Sequence, residues 1–423
     1  MVEARPRVDR AFAVHRQIGP MNRLALLLAA IALLAGCTSG LTPALPTLEE
    51  RWVSDTAGSI QGNHHAVAAV NVDGEGVIAV PLGGHHGKVG CALAVLDETG
   101  DERWRANISR RACTIHAVAD PTIADYDADG VAEVVAATTE NQLVAYAPLS
   151  GDVELRFELD EYGYTPPAVA DLTGDGTPET VVVDVDGTVY VLGPDGEAVW
   201  TLPLDGYVWG KPAVLDADAD GAPEIVVGLG DGRVMALERD GSVGWNRTVD
   251  GSVTWLSTGE TDGDEAAEVL VATDTGQVIA LDGRDGAEQW AQGLGKFAAV
   301  GPPMDGDDDG TLEVYATARD GKLRALDGTS GEVEWTTTLT EGDVQMTPPP
   351  TPGDLNGDGT PEIVAVTNDG RVLVVGPDGS VRGTYEREGA IWTHATLADV
   401  DGDGTPEVYV VYGDGSVVSL TYG

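Results

Sequence analysis

Lysine is almost missing from this chain of 423 residues: there are four, Lys88, Lys211, Lys296 and Lys322. With arginine the basic residues number 24 against 70 acidic ones, a net charge of −46. A phosphate backbone is held by a basic face, so this balance excludes nucleic acid as a partner. Cysteine is scarce, with three residues at Cys37, Cys91 and Cys113. The apolar run at residues 24–34 is shorter than the roughly 18 residues a membrane-spanning helix needs. Beyond the leader no stretch keeps a helical period over about ten residues, which excludes helix as a main element. No Ser/His/Asp order, phosphate-cradling glycine loop or convergent acid pair stands apart from the surrounding pattern, so no catalytic site is nominated.

What the chain does have is a repeat. In residues 215–245 three carboxylates alternate (Asp216, Asp218, Asp220), Gly221 follows and Glu224 closes the loop; two short apolar runs and a tryptophan complete the unit. The first acid of this loop recurs at Asp125, Asp171, Asp216, Glu260, Asp305, Asp354 and Asp399, at intervals of 44 to 49 residues. A weaker copy at residues 71–75 has Ala79 at the closing place. Each unit holds four short Val-rich runs separated by Asp-Gly turns, in this case 211–215, 224–228, 233–237 and 242–248. Such runs read as antiparallel hairpins, and four strands per period of about 45 residues is the signature of a propeller blade. The predicted fold is therefore an all-β, eight-bladed β-propeller; a seven-bladed ring with an odd first unit is the alternative. With strands lettered A to D outward from the axis, strand D carries an aromatic at Trp104, Phe157, Trp200, Trp245, Trp290, Trp335 and Tyr385. The last unit stops after its third run, and residues 49–55, with Trp52, supply the missing strand D. An N-terminal strand completing the last blade removes the open sheet edges. The expected blades are 60–109, 110–160, 161–205, 206–250, 251–294, 295–341, 342–388, and 389–423 joined by 49–55.

Residues 1–37 read as a leader. Met21, the expected start, precedes Asn22-Arg23, the apolar run, and then Leu34-Ala35-Gly36-Cys37. A charged start, a short apolar run and small residues make a secretory signal. The cysteine after Leu-Ala-Gly resembles a prokaryotic lipobox, which implies lipidation at Cys37, a tether at 38–48, and a chain anchored to the outer face of the cytoplasmic membrane or the cell surface. The acidic composition resembles that of proteins from extreme halophiles, where a hydrated negative surface keeps a protein soluble in salt. Sequons at Asn107 and Asn246 fall just after strand-D tryptophans, where a glycan would be accessible.

The acidic loops follow D-x-D-x-D-G-x-x-E. Five offer four carboxylates each: Asp125, Asp127, Asp129, Glu133; Asp216, Asp218, Asp220, Glu224; Glu260, Asp262, Asp264, Glu268; Asp305, Asp307, Asp309, Glu313; and Asp399, Asp401, Asp403, Glu407. Two offer three: Asp171, Asp175, Glu179 with Thr173, and Asp354, Asp358, Glu362 with Asn356. Alternate residues of a tight loop aim at one centre, and the hard oxygens suit calcium better than magnesium, which demands near-ideal octahedral geometry. Acids spread for solvation alone would not keep one register through seven units. The expected role is structural calcium, each ion relieving like charges crowded into a turn. Glu265, at the glycine place of its loop, weakens that one site.

Two families share these features. The acidic loop within a blade resembles the FG-GAP or VCBS repeats of integrin α-subunits and secreted prokaryotic proteins. The second half of the unit, as in residues 323–335, resembles the repeat of pyrroloquinoline-quinone (PQQ) dehydrogenases, and that resemblance implies a strand-D tryptophan docked between blades. The quinone enzymes carry adjacent cysteines and long insertions around the cofactor; this chain has neither, which argues against bound PQQ. A non-enzymatic relative, the outer-membrane assembly lipoprotein of the quinoprotein-like class, has the same lipobox-plus-propeller layout.

One patch is irregular. His64 and His65 enter strand A of blade 1, His85 and His86 stand in its enlarged B–C loop, His116 enters strand A of blade 2 and His394 lies on strand A of blade 8. Arg111 belongs to the same end, opposite the acidic loops, and Tyr164, Trp209, Trp255 and Trp392 are placed to line the channel mouth. Cys91 and Cys113 lie near that face on adjacent blades; export favours a disulfide, while their strand positions leave the Cα spacing open. The expected function is a binding or scaffold module, monomeric, with the membrane through its lipid and an unidentified protein or carbohydrate as partners. A quinone- or metal-dependent oxidoreductase using the histidine face, and an envelope-assembly propeller, are the alternatives.

Overall fold

The computed structural model describes residues 47–58, 62–83, 90–113 and 118–423. Cys37, His85, His86, Lys88 and His116 lie outside the described residues. The unit from Pro46 to Gly423 holds thirty-two strands and, among the described residues, no helix. None is therefore long and apolar enough to cross a membrane.

The strands form eight four-stranded antiparallel sheets, seven in simple chain order, the eight blades of a β-propeller. Blade 4 is typical: Ala213–Leu215, Glu224–Gly228, Arg233–Leu237 and Val243–Thr248. In blade 8 the outermost strand is Leu48–Val53, paired with Val417–Tyr422 from the other end of the chain. The expected closure by an N-terminal strand is thus the observed one.

The apolar core is divided among the blade interfaces. Val226, Val234 and Trp245 of blade 4 pack with Val253, Val269 and Ile279 of blade 5. Equivalent clusters join every consecutive pair, and one joins blade 8 to blade 1 through Val400, Tyr409, Ile78 and Val80. Strand B is buried on both faces because each faces a neighbouring blade, so it reads as a continuous apolar run.

A tryptophan fastens most of these interfaces. Each strand-D ring lies on the glycine of the C–D turn in the next blade: Trp52 on Gly100, Trp104 on Gly151, Trp200 on Gly241, Trp245 on Gly286, Trp290 on Gly331 and Trp335 on Gly379. In five cases the indole N–H donates to a backbone carbonyl of that blade at 2.7–2.9 Å. The ladders correct two of the expected aromatics. Leu155, not Phe157, opposes Ala145 and lies on Gly196. In blade 7 the place belongs to Gly383, not Tyr385. Blade 8 has no C–D turn to receive a ring, and a Cβ on Gly383 would stand 3.2 Å from Cβ of Leu48 on the closing strand. Glycine admits that strand, and the Tyr385 hydroxyl donates to Glu50 on it at 2.5 Å.

Cys91 and Cys113 are bonded, with Cα atoms 5.3 Å apart. The chain leaving strand D turns back at once: Ile108 N–H donates to the Cys91 carbonyl and Cys113 N–H to the Ser109 carbonyl, both at 2.9 Å. That turn brings the sulfurs together.

The docking predicts a sharp penalty at its glycine. Gly286 has φ of 69°, and a Cβ there would lie 2.6 Å from the Trp245 ring. Gly286→Ala is expected to lower unfolding stability by about 1–3 kcal/mol. Gly293→Ala, whose Cβ would meet only the Gln277 side chain at 3.6 Å, is expected to leave the thermal melt nearly unchanged. Equal effects of the two substitutions would contradict the docking.

Candidate functional site

Two groups of polar side chains lie at opposite ends of the A strands. At the C-terminal ends are the acidic loops. The closing glutamate begins strand B and is buried, 1% exposed at Glu133 and 3% at Glu224. In all seven loops its Oε2 accepts the backbone N–H of the second loop residue, at 2.5–3.3 Å. In six loops the first aspartate caps the glycine N–H five residues on, at 2.8–3.0 Å. These bonds fix the turn and leave the remaining carboxylate oxygens facing one another.

Five sets bring ligand atoms within 4.8 Å of each other: Asp305, Asp307, Asp309 and Glu313; Asp125, Asp127 and Glu133; Asp216, Asp218 and Glu224; Glu260, Asp262 and Glu268; Asp399, Asp401 and Glu407. Asp129, Asp220, Asp264 and Asp403 stand outside these sets and accept backbone N–H groups two residues on. In the loops of Asp171, Thr173, Asp175 and Glu179 and of Asp354, Asn356, Asp358 and Glu362, the hydroxyl of Thr173 and the amide of Asn356 donate to the closing glutamate.

Glu224 Oε1 and Asp305 Oδ1 are buried and accept no hydrogen bond. A buried anionic oxygen without a partner is costly, and a hard cation at the centre of the set would satisfy it. Burial, and then neighbouring like charges, push Glu133 and Glu224 up to about 7. Three or four carboxylates around one point, without nitrogen or sulfur donors, fit calcium.

At the other end the A strands open into a cavity of about 590 Å³. His64, His65, Asp120, Tyr164, Trp209, Lys211, Trp255, Trp392 and His394 line it. Lys211, Trp255 and His394 are shared with a second cavity of about 620 Å³ between the A strands, so the two form one axial channel. His65 Nδ1 lies 2.8 Å from Asp120 Oδ1, which also accepts the Ala66 N–H at 3.0 Å. The His64 ring is 4.7 Å from that of His65, and its Nε2 is 3.2 Å from the Tyr164 hydroxyl. Tyr164, Tyr207 and Trp209 form an aromatic group with centroids 6.1–6.2 Å apart. Across the mouth, His394 stands edge-on to Trp255 at 6.3 Å. Desolvation lowers the pKa of His394 despite the Asp120 charge.

Of the histidines named from the sequence, the structure brings His64, His65 and His394 to this mouth. Arg111 is exposed on the turn after strand D and is not among the lining residues. Asn107 and Asn246 are exposed on outer strands. Asp120 had no signal in the loop register; its position in the D–A connection beside Pro121, where no loop acid belongs, was the available clue.

The family model described as outer membrane protein assembly factor BamB matches residues 92–255, 170–299 and 230–420. No curated protein matches the chain. Among solved structures, BamB from Moraxella catarrhalis is 19% identical, with a TM-score of 0.58 over 89% of this chain and 98% of that one. BBS1N, solved in complex with ARL6DN, is 14% identical, with a TM-score of 0.53 over 72% of this chain and 91% of that one. At these identities the likeness is one of fold.

The mouth generates a pH prediction. Burial, then the neighbouring His65 charge, lower the His64 pKa to about 4 from an unfolded value near 6.5. The unfolded chain therefore binds the proton first, and stability present above pH 6.5 is lost as pH falls toward 4. By pH 5 the loss is about 2 kcal/mol. Denaturant unfolding at pH 7 and pH 5 is expected to show this extra loss in the native chain and not in His64→Asn. Equal losses in both would refute it.

Proposed function

Because the chain belongs to the PQQ-like repeat family described as outer membrane protein assembly factor BamB, we propose that it is a binding propeller of the cell envelope. In this reading it is exported, held at the membrane by lipid on Cys37, and braced by calcium in its acidic loops. It holds a partner protein at the channel mouth. The observation that carries the reading is the mouth itself. Tyr207 and Trp209 are 41% and 37% exposed, beside half-buried Tyr164 and above a pocket lined by His64, His65, Asp120 and Lys211. Large aromatics held exposed at a concave opening, with a few convergent polar groups, are the anchors of recognition surfaces. The family description supports an assembly role, and BBS1N, solved with its partner, shares the fold.

Calcium would hold each A–B hairpin by neutralising its carboxylates, which keeps strand A, and with it the mouth, in place. At moderate ionic strength, chelation is expected to lower the melting temperature by several degrees and added calcium to restore it. An unchanged melt would remove calcium from the reading. For the mouth, crosslinked envelope membranes carrying the native chain are expected to yield a protein adduct that Tyr207→Ala/Trp209→Ala loses without a change in melt. Retention of the same adduct by the double variant would place the partner elsewhere; loss of retention on a glycan array instead would make the ligand a carbohydrate.

A further inference from the structure

The seven acidic loops share one sequence pattern but not one environment. The difference comes from a single place on strand D, the residue before the docking position, whose side chain faces the acidic loop of its own blade. In blade 8 it is Arg51. Its guanidinium reaches Asp401 at 2.8 Å and makes a short contact with Glu407, two members of that loop's carboxylate set. In blade 7 it is Arg382, whose guanidinium lies 3.2 Å from Glu362 Oε1. In blade 5 it is Gln289, whose amide donates to Asp262 at 2.8 Å and Glu268 at 3.2 Å. Even blade 1, which has lost the loop, keeps Arg103 there, paired with Glu75 at 2.6 Å.

Blades 2, 4 and 6 are the reverse. The same place holds Glu154, Gly244 and Glu334. Glu154 adds its charge to Asp127 and Asp129, and Glu334 adds its charge to Asp307 and Asp309. In blade 4 the space left by Gly244 is taken by Glu238, whose Oε1 is 2.5 Å from where a Cβ would stand. Among the described residues no ion pair reaches Glu133, Glu224 or Glu313. Here too lie the orphaned oxygens: Glu224, 3% exposed with Oε1 unpartnered inside the Asp216–Asp218 set, and Asp305 with Oδ1 unpartnered. In blade 3 the strand-D place holds Val199, and with Thr173 at the third loop place no three carboxylates come together among the described residues; the Thr173 hydroxyl lies 3.4 Å from Glu179.

We infer that the strand-D residue before the docking position decides how six of the seven acidic loops are neutralised: a side-chain cation or amide fills blades 5, 7 and 8, and a divalent cation binds in blades 2, 4 and 6. A guanidinium in the carboxylate set supplies the positive charge and the N–H donors that a metal would otherwise replace, and it occupies the same space. Where strand D adds a further carboxylate, only a cation from solution balances the set. The inference rests on the calcium reading above and narrows it from seven sites to three.

The test is equilibrium dialysis of the full-length chain against calcium at moderate salt, with roughly 1 mM free ion as suits extracellular sites, followed by metal analysis. About three ions per chain are expected. Glu224→Gln is expected to lower the count by one. Arg51→Ala, which empties the blade 8 set of its guanidinium, is expected to raise it by one; should that variant not fold, Arg382→Ala asks the same of blade 7. Near-zero binding would overturn the calcium reading itself. Seven ions in the native chain, or an unchanged count in the folded arginine variants, would overturn the selection by strand D while leaving calcium in place.

Discussion

The structure depends on one repeated contact, the strand-D side chain of each blade lying on the C–D turn glycine of the next. A four-stranded sheet cannot bury both faces by itself, so every strand B and strand C in this chain is covered only by its neighbours. The contact fixes how far one blade is rotated from the next and holds the apolar cluster between them closed to water. It also explains the exceptions. Leu155 makes the contact with a smaller side chain, and Gly196 still receives it. Gly383 abandons it because the next blade ends without the turn that would be docked upon, and the space goes to Leu48 instead. The ring is therefore closed by two devices: six tryptophans and a leucine within the chain, and a strand borrowed from its start at the seam.

Strand A couples the two ends of each blade. It is only three residues long in blades 2, 3, 4, 7 and 8, so a mouth residue and an acidic loop are never far apart: Trp209 stands seven residues before Asp216. An A–B hairpin pinned at its acidic end holds the strand whose other end presents the aromatic. Among the residues that line the mouth, Lys211, His64, His65 and His394 stand with one carboxylate, Asp120.

Most of this was legible in the sequence because the repeat displays its own register. The expected strands of blade 4 and the observed ones differ by no more than two residues at any end, and the count of eight followed from the spacing of one loop. What escaped was what depends on offsets or on distance along the chain. The ladder between strands C and D shifts register near its end in each of blades 1 to 7. An aromatic two places further on therefore looks equivalent, which is how Phe157 and Tyr385 came to stand for Leu155 and Gly383. Arg51 meets Glu407 across 356 positions of sequence, and no local pattern announces that pairing. The Cys91–Cys113 bond was named from the sequence but left open, because strand positions alone say nothing of the turn at Ser109 that carries Cys113 back.

The fourth place of the acidic loop adds an independent line to the same division. Its backbone is left-handed in every loop, and in blades 3, 5, 7 and 8 the residue there is glycine: Gly174, Gly263, Gly357 and Gly402. In blades 2, 4 and 6 it is Ala128, Ala219 and Asp308, with φ of 62–63°. A non-glycine residue in that region costs roughly 1–2 kcal/mol, and nothing in these three turns recovers it through a local hydrogen bond that the glycine loops lack. At the strand-D place before the docking position the same three blades hold a glutamate or glycine, while blade 3 holds Val199 there with Gly174 in its turn, and blade 5, with Gln289, carries a left-handed Glu265 two residues after Gly263. The outermost strand and the fourth place of the innermost turn thus both set blades 2, 4 and 6 apart from blades 5, 7 and 8, while blade 3 shares its glycine turn with the latter and its lack of a strand-D donor with the former.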